Sequence, residues 1–158
     1  MTLELPLDID VAISDTSCFI LLDKIDALGL LKDCFRTVYT TTTVAEEFGL
    51  TLPEWVQIRE VTDKNYLNNV SELVDKGEAS VIALAKNLPD CILILDDDKA
   101  RKLARILDLK FTGTLGILIR AKALGLVPAV KPYIEKIRTT NFHLSESLLT
   151  RILNSVGE

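Results

Sequence analysis

The stretch Cys91-Ile92-Leu93-Ile94-Leu95, followed at once by Asp96-Asp97-Asp98, decides the fold. Five consecutive apolar residues, bounded by Pro89-Asp90 before and three aspartates after, predict a central strand buried on both faces. Residues 10–14 (DVAIS) and 37–40 (TVYT) predict two more strands, and residues 56–61 alternate apolar with polar side chains, as an exposed edge does. Residues 110–112 supply a last short strand. Helical patterns occupy residues 20–31, 43–48, 64–74, 78–88, 99–107 and 114–124. Strand and helix in alternation predict an α/β fold, a parallel sheet covered by helices on both faces. Ligands of such sheets bind beyond the C-terminal ends of the strands.

The length of 158 residues suits one domain with a real core. Residues 127–158 read as a helical extension packed on that same domain, with helices near 129–138 and 145–156. Leu144, Leu148, Ile152 and Val156 recur every four residues and give the second of these an apolar face. That face either packs on the domain or meets a partner.

No apolar run is long enough to cross a bilayer, and the N-terminus MTLELPLDID carries acids where a secretory signal carries Lys or Arg. Cys18, Cys34 and Cys91 form no CxxC pair and leave one thiol over in any disulfide scheme. A soluble protein of the reducing cytoplasm, with buried free thiols, is the expectation. The single histidine, His143, lies in the tail, which disfavours both a zinc site and histidine acid/base chemistry.

The net charge of −5 is not that of a nucleic-acid binder, but its distribution is uneven. Residues 1–96 hold 7 Lys/Arg against 17 Asp/Glu, whereas residues 97–138 hold 10 against 4.

Asp15 follows the first predicted strand, and Asp96, Asp97 and Asp98 follow the CILIL strand, so both groups fall on the ligand-binding edge. Either could simply cap the helix that follows, but three aspartates in a row exceed what a cap requires. In Val44-Ala45-Glu46-Glu47-Phe48, the apolar residues define an inward face; Glu46 points away from it and Glu47 lies on its flank. Glu47 is therefore the better candidate. Glu78 falls on the apolar side of its helix with Val81, Ile82 and Ala85, and an inward acid needs compensation from helix amides or a cation.

If Asp15, Glu47, Glu78 and Asp97 converge, their mutual repulsion destabilises the site until a cation binds. Magnesium or manganese suits an all-carboxylate set. Such an ion lowers the pKa of a water and offsets charge building on a phosphate, so phosphoryl transfer needs no histidine. The basic segment gains a purpose here. In the helix of residues 99–107, the inward stripe is Ala100, Leu103, Ala104 and Leu107, which leaves Lys99, Arg101, Lys102 and Arg105 to hold a nucleic-acid backbone. Arg120 and Lys122 are expected to extend the patch.

The blocks ISDTS, VAEEF, GEASVIALA, LILDDDKARKLA and TGTLGILIRAKALGL, in that order over residues 11–125, resemble the PIN domains, the fold of many VapC-type ribonuclease toxins. The last three blocks and the helical tail look like a PIN-like subfamily long classed as a domain of unknown function. The resemblance implies a three-layer α/β/α sandwich in residues 1–126 and a Mg2+- or Mn2+-dependent site that cuts single-stranded RNA. It carries over to the same four acids, with Thr16, Ser17 and Thr114 as hydrogen-bonding residues that orient them. Many family members place an aspartate where Glu78 stands, and Asp96 can exchange roles with Asp97. It further implies a toxin–antitoxin pair, a small antitoxin protein occupying the site, and a homodimer.

Two rivals remain at this stage. One is a phosphoacceptor receiver domain, which also gathers aspartates at strand ends but gives GEAS no role. The other is a catalytically weak PIN-fold protein that binds RNA or a partner.

Overall fold

The computed structural model describes residues 7–158, so the expectation that no export signal precedes the domain lies, for residues 1–6, outside the described residues. Five strands, β1 (Val11–Ser14), β2 (Thr37–Thr41), β3 (Val56–Arg59), β4 (Cys91–Ile94) and β5 (Phe111–Thr112), form one all-parallel sheet in the order β3-β2-β1-β4-β5. The CILIL strand is central, as its unbroken apolar run requires. It pairs with β1 from Val11↔Cys91 to Ser14↔Ile94, and Ala12, Ile13, Leu93, Ile94 and Leu95 are sealed from solvent.

The chain lays down β1, β2 and β3 towards one edge and then crosses to place β4 and β5 on the other side of β1. The order reverses between β1 and β4. A crevice opens where the loops leaving two such strands diverge in opposite directions. Asp15 and Asp96 both stand at that point.

Nine helices are found among the described residues. α1 (Thr16–Lys24), α2 (Gly29–Cys34) and α7 (Thr114–Ala123) form one layer, and α3 (Thr42–Phe48), α4 (Lys64–Ser71) and α5 (Lys76–Ala85) the other, with α5 lying over β1, β2 and β4. α6 (Asp98–Ile106) links β4 to β5 and packs against α5. The result is the α/β/α sandwich with a parallel sheet that the sequence predicts.

One local expectation is corrected. Residues 20–31 are not one helix but the end of α1, a turn, and the start of α2. α1 starts earlier than predicted because Asp15 accepts the Cys18 amide at 2.9 Å and caps it. It stops at Ile25 because Asp26 turns left-handed, at φ +55°, a conformation that aspartate tolerates better than most residues.

Beyond α7, α8 (Lys131–Arg138) and α9 (Glu146–Ser155) bury Ile134, Ile137, Leu149 and Ile152 in the same core, with Leu144, Leu148 and Val156 packed against it. The apolar face of α9 is thus turned inward. Glu158 fastens its end: the side chain accepts the Val130 amide at 2.7 Å, the Lys131 amide at 3.0 Å and Lys122 Nζ at 3.0 Å. The three thiols are free; Cys18 and Cys34 are buried, and Cys91 is only half-buried.

Candidate active site

Asp15 is carried just past the end of β1. Its amide donates to Ile94 O at 3.2 Å, continuing the β1–β4 pairing by one residue, and its side chain is 2% exposed. Removal from water pushes its carboxyl up to about 8, and the neighbouring Asp96 charge adds to this, with Glu78 contributing less. The amides of Cys18 and Asp96 oppose the rise without cancelling it. The sequence reading of Asp15 as a helix cap is correct as far as it goes. A cap does not require burial among other acids.

Asp96, half-buried, is the acid set most firmly. Leu95 donates to Thr112 O at 2.8 Å, which brings the loop after β5 alongside the loop after β4. Thr114 then donates its amide to Asp96 Oδ1 at 2.8 Å and its hydroxyl to Oδ2 at 2.5 Å, so both oxygens are fixed. Gly113 makes this approach possible, because a Cβ there would fall 2.8 Å from Asp96 Oδ1.

Asp97 has a different setting. It is exposed and caps α6 through the Ala100 amide at 2.9 Å. Its charge is felt at Glu78, whose carboxyl is raised by desolvation first and by Asp97 second. Glu78, at the third position of α5, accepts the Asp75 amide at 3.1 Å and completes a capping box with Asp75. Glu78 is thus a cap, as one sequence reading has it, and it also stands beside other acids. A cleft of about 260 Å³ opens beside this pair, lined by the α4–α5 loop, Glu78, Asp97 and Lys99.

Glu47 sits on the flank of α3, as helical phase predicts, and its Oε2 accepts from Thr16 Oγ1 at 2.9 Å. A Cβ built on Gly77 would lie 2.7 Å from both Glu47 oxygens, so the carboxylate rests directly on the start of α5, next to Glu78.

Of the three expected orienting residues, Thr16 and Thr114 hold acids, the latter through Asp96 rather than Asp97. Ser17 does not. It is exposed and lines a separate depression with Ile20, Lys24, Asn141 and Phe142.

Lys99, Lys102 and Arg105 are exposed on α6, whereas Arg101 is half-buried with its guanidinium over the Phe111 ring at 5.1 Å. The expected extension of this patch to α7 is corrected. Arg120 is 2% exposed, lies over Phe35 at 4.2 Å and donates to Cys34 O and Ile9 O, carbonyls at the end of α2 and just before β1. Lys122 is tied to Glu158 and Val156 O.

Among the described residues, no three Asp, Glu, His or Cys side chains stand as a finished metal cage. Each acid is held by its own hydrogen bond instead. None of the ion pairs among the described residues reaches Asp15, Glu47, Glu78, Asp96 or Asp97. An all-oxygen set with a buried, uncompensated member has the donor chemistry of a hard divalent cation. The sequence left the order of Asp96 and Asp97 open, and it missed the close approaches at Gly77 and Gly113. The GT before α7 and the KGE at the start of α5 were the available signals.

A family model described as a PIN domain matches residues 11–158, from β1 through α9. No curated protein and no solved structure matches the chain.

Proposed function

Since the chain belongs to the PIN-domain family, whose members are generally nucleases that use divalent metals, we propose that it is a Mg2+- or Mn2+-dependent endoribonuclease that hydrolyses single-stranded RNA. The observation that carries this reading is Asp15, buried beside Asp96 at the sheet's switch point with no cation among the described residues paired to either. Asp15, Asp96, Glu78 and Glu47 are the residues that would hold the ion, with Asp97 at the rim next to Glu78. When bound, the ion supplies an activated water and offsets the charge growing on the phosphate.

The chain's own part follows from its contacts. Asp15, whose carboxyl burial raises to about 8, would give up its proton to hold such an ion. Thr114 holds both Asp96 oxygens and Thr16 steadies Glu47, so the carboxylates need little rearrangement. Lys99, Arg101, Lys102 and Arg105 on α6 begin two residues after Asp97 and attract the strand's phosphates.

The family resemblance supports a place in a cytoplasmic toxin–antitoxin pair, with a small antitoxin protein covering the acids and the chain acting as a homodimer. Among the described residues no helix is long and apolar enough to cross a membrane. The receiver-domain reading has no support left once the family is known.

The test is incubation of the purified protein with single-stranded RNA in manganese, magnesium or EDTA. Cleavage with either metal, none in EDTA, and loss in Asp15→Asn and Asp96→Asn variants that still fold is the expected result. Undiminished cleavage in both variants sinks the mechanism, and binding without cleavage by the wild type selects the RNA-binding alternative.

A further inference from the structure

Arg101 differs from every other cation on α6. Its Nε is buried and has no hydrogen-bond partner, and the guanidinium makes no ion pair among the described residues. Its guanidinium carbon lies over the Phe111 ring, 5.1 Å from its centre, and its Nη1 lies 4.0 Å from where a Gly113 Cβ would be, the same point that lies 2.8 Å from Asp96 Oδ1. The arginine therefore stands beside the Asp96 loop, yet among the described residues it makes no hydrogen bond or ion pair to Asp96, both of whose oxygens accept from Thr114.

A guanidinium whose Nε is shut off from water without an acceptor is costly to maintain, and the neighbouring aromatic face replaces that hydration only in part. The remaining requirement is for a planar fork of N–H donors to meet an anion from outside the chain. Phosphate oxygens fit that fork in a bidentate way that a lysine cannot reproduce. Lys99, Lys102 and Arg105 are exposed, and exposed cations act on a strand mainly through its general charge.

Resting on the nuclease reading, we propose that Arg101 binds the non-bridging oxygens of the phosphodiester being cut, holding it against the Asp15–Asp96 edge, while Lys102 and its exposed neighbours grip phosphates elsewhere on the strand. Phe111 is the platform beneath the guanidinium, and Gly113 lets Asp96 and Arg101 stand close together.

The experiment compares Arg101→Gln, Arg101→Lys and Lys102→Gln with the wild type in two measurements on one fluorescein-labelled single-stranded RNA. These are steady-state cleavage in manganese, and affinity in calcium as a function of salt. Arg101→Gln is expected to lower kcat at least 100-fold with KM changed less than threefold, and Arg101→Lys to recover under a tenth of the loss. Lys102→Gln is expected to raise KM and to reduce the salt slope by about one phosphate contact with kcat nearly intact. Arg101→Gln should fold, since Arg105 also covers Phe111, at 5.3 Å, and circular dichroism checks this. Indistinguishable behaviour of Arg101→Gln and Lys102→Gln, or full rescue by Lys, overturns the proposal. A wild type that binds the RNA and cuts nothing sinks the nuclease reading. The calcium measurement then decides Arg101 alone: a small affinity loss in Arg101→Gln that Arg101→Lys does not restore supports a bidentate phosphate contact, and affinity equal to the wild type's overturns it.

Discussion

The carboxylate of Glu47 rests on the backbone of Gly77: a Cβ at residue 77 would lie 2.7 Å from each of its oxygens. Glycine at the start of α5 thus fixes how near Glu47 stands to Glu78. Gly77→Ala is expected to leave the fold intact, because the group that must move is the end of a flexible side chain and alanine is favoured over glycine in a helix by up to about 1 kcal/mol. It should nonetheless displace Glu47 and weaken manganese-dependent cleavage by ~10-fold or more. Thermal melts and kinetics on the same preparation separate the two effects. Full activity with an unchanged melt would remove Glu47 from the site.

Asp15 makes the metal-free protein sensitive to pH in a direction opposite to most carboxylates. An unfolded aspartate loses its proton near 3.8, whereas the folded chain keeps it to about 8, mainly through burial and then through Asp96. Between those values the unfolded state binds fewer protons, so stability falls as pH rises through the window. Asp15→Asn removes that cost and should melt higher than the wild type near pH 8 in EDTA, by an amount on the order of a few kcal/mol. The gap should close towards pH 4. Manganese should raise the melting temperature of the wild type increasingly from pH 6 to 8, and should not raise that of the variant. Parallel melting curves for the two proteins across this range would contradict the assignment.

Asp96 is expected to outrank Asp97. Asp96→Asn keeps the shape of the Thr114 contacts but removes the charge beside Asp15, whereas Asp97→Asn chiefly weakens an exposed helix cap. Cleavage should therefore fall by at least 100-fold in the first variant and by roughly 10-fold in the second. Thr114→Val, which deletes only the hydroxyl on Oδ2, should cost roughly 10- to 100-fold by releasing the carboxylate to rotate. If Asp97→Asn proves the more damaging of the pair, the geometry of the site is centred nearer α5 than β1.

The contrast between these two aspartates marks where sequence reading stops. The strand and its place inside the sheet followed from its bounded apolar run, and the edge on which the acids lie from the alternation of strand and helix. Which aspartate turns inward depended on the register of β4 against β5 and on Thr114, 18 residues later, which no local pattern encodes. Glu47 was legible because helical phase is local; its seat on Gly77 was not. Arg120 was read as surface because a cation in a helix usually is. Its partners, the carbonyls of Cys34 and Ile9, are 86 and 111 residues away. The break after α1 was hidden for the same kind of reason, since an aspartate gives only weak warning of a left-handed turn.

Glu158 supplies the last prediction, a structural one. Its carboxyl is held down at about 2, chiefly by the Val130 amide and then by the Lys131 amide and Lys122, so the ionised form is preferred in the folded state. A depressed carboxylate stabilises the fold fully above its unfolded value of 4.5 and loses that contribution as pH falls towards 2. Glu158→Gln should melt below the wild type at pH 7, and the difference should shrink between pH 4.5 and 2. Because the same side chain joins the end of α9 to the α7–α8 junction, hydrogen exchange in the variant should rise first in α9 while β1 and β4 stay protected. A uniform rise across the sheet would instead mean that the tail and the sandwich unfold as one unit. A melting gap that persisted unchanged to pH 2 would show that the carboxylate's charge is not what fastens the tail.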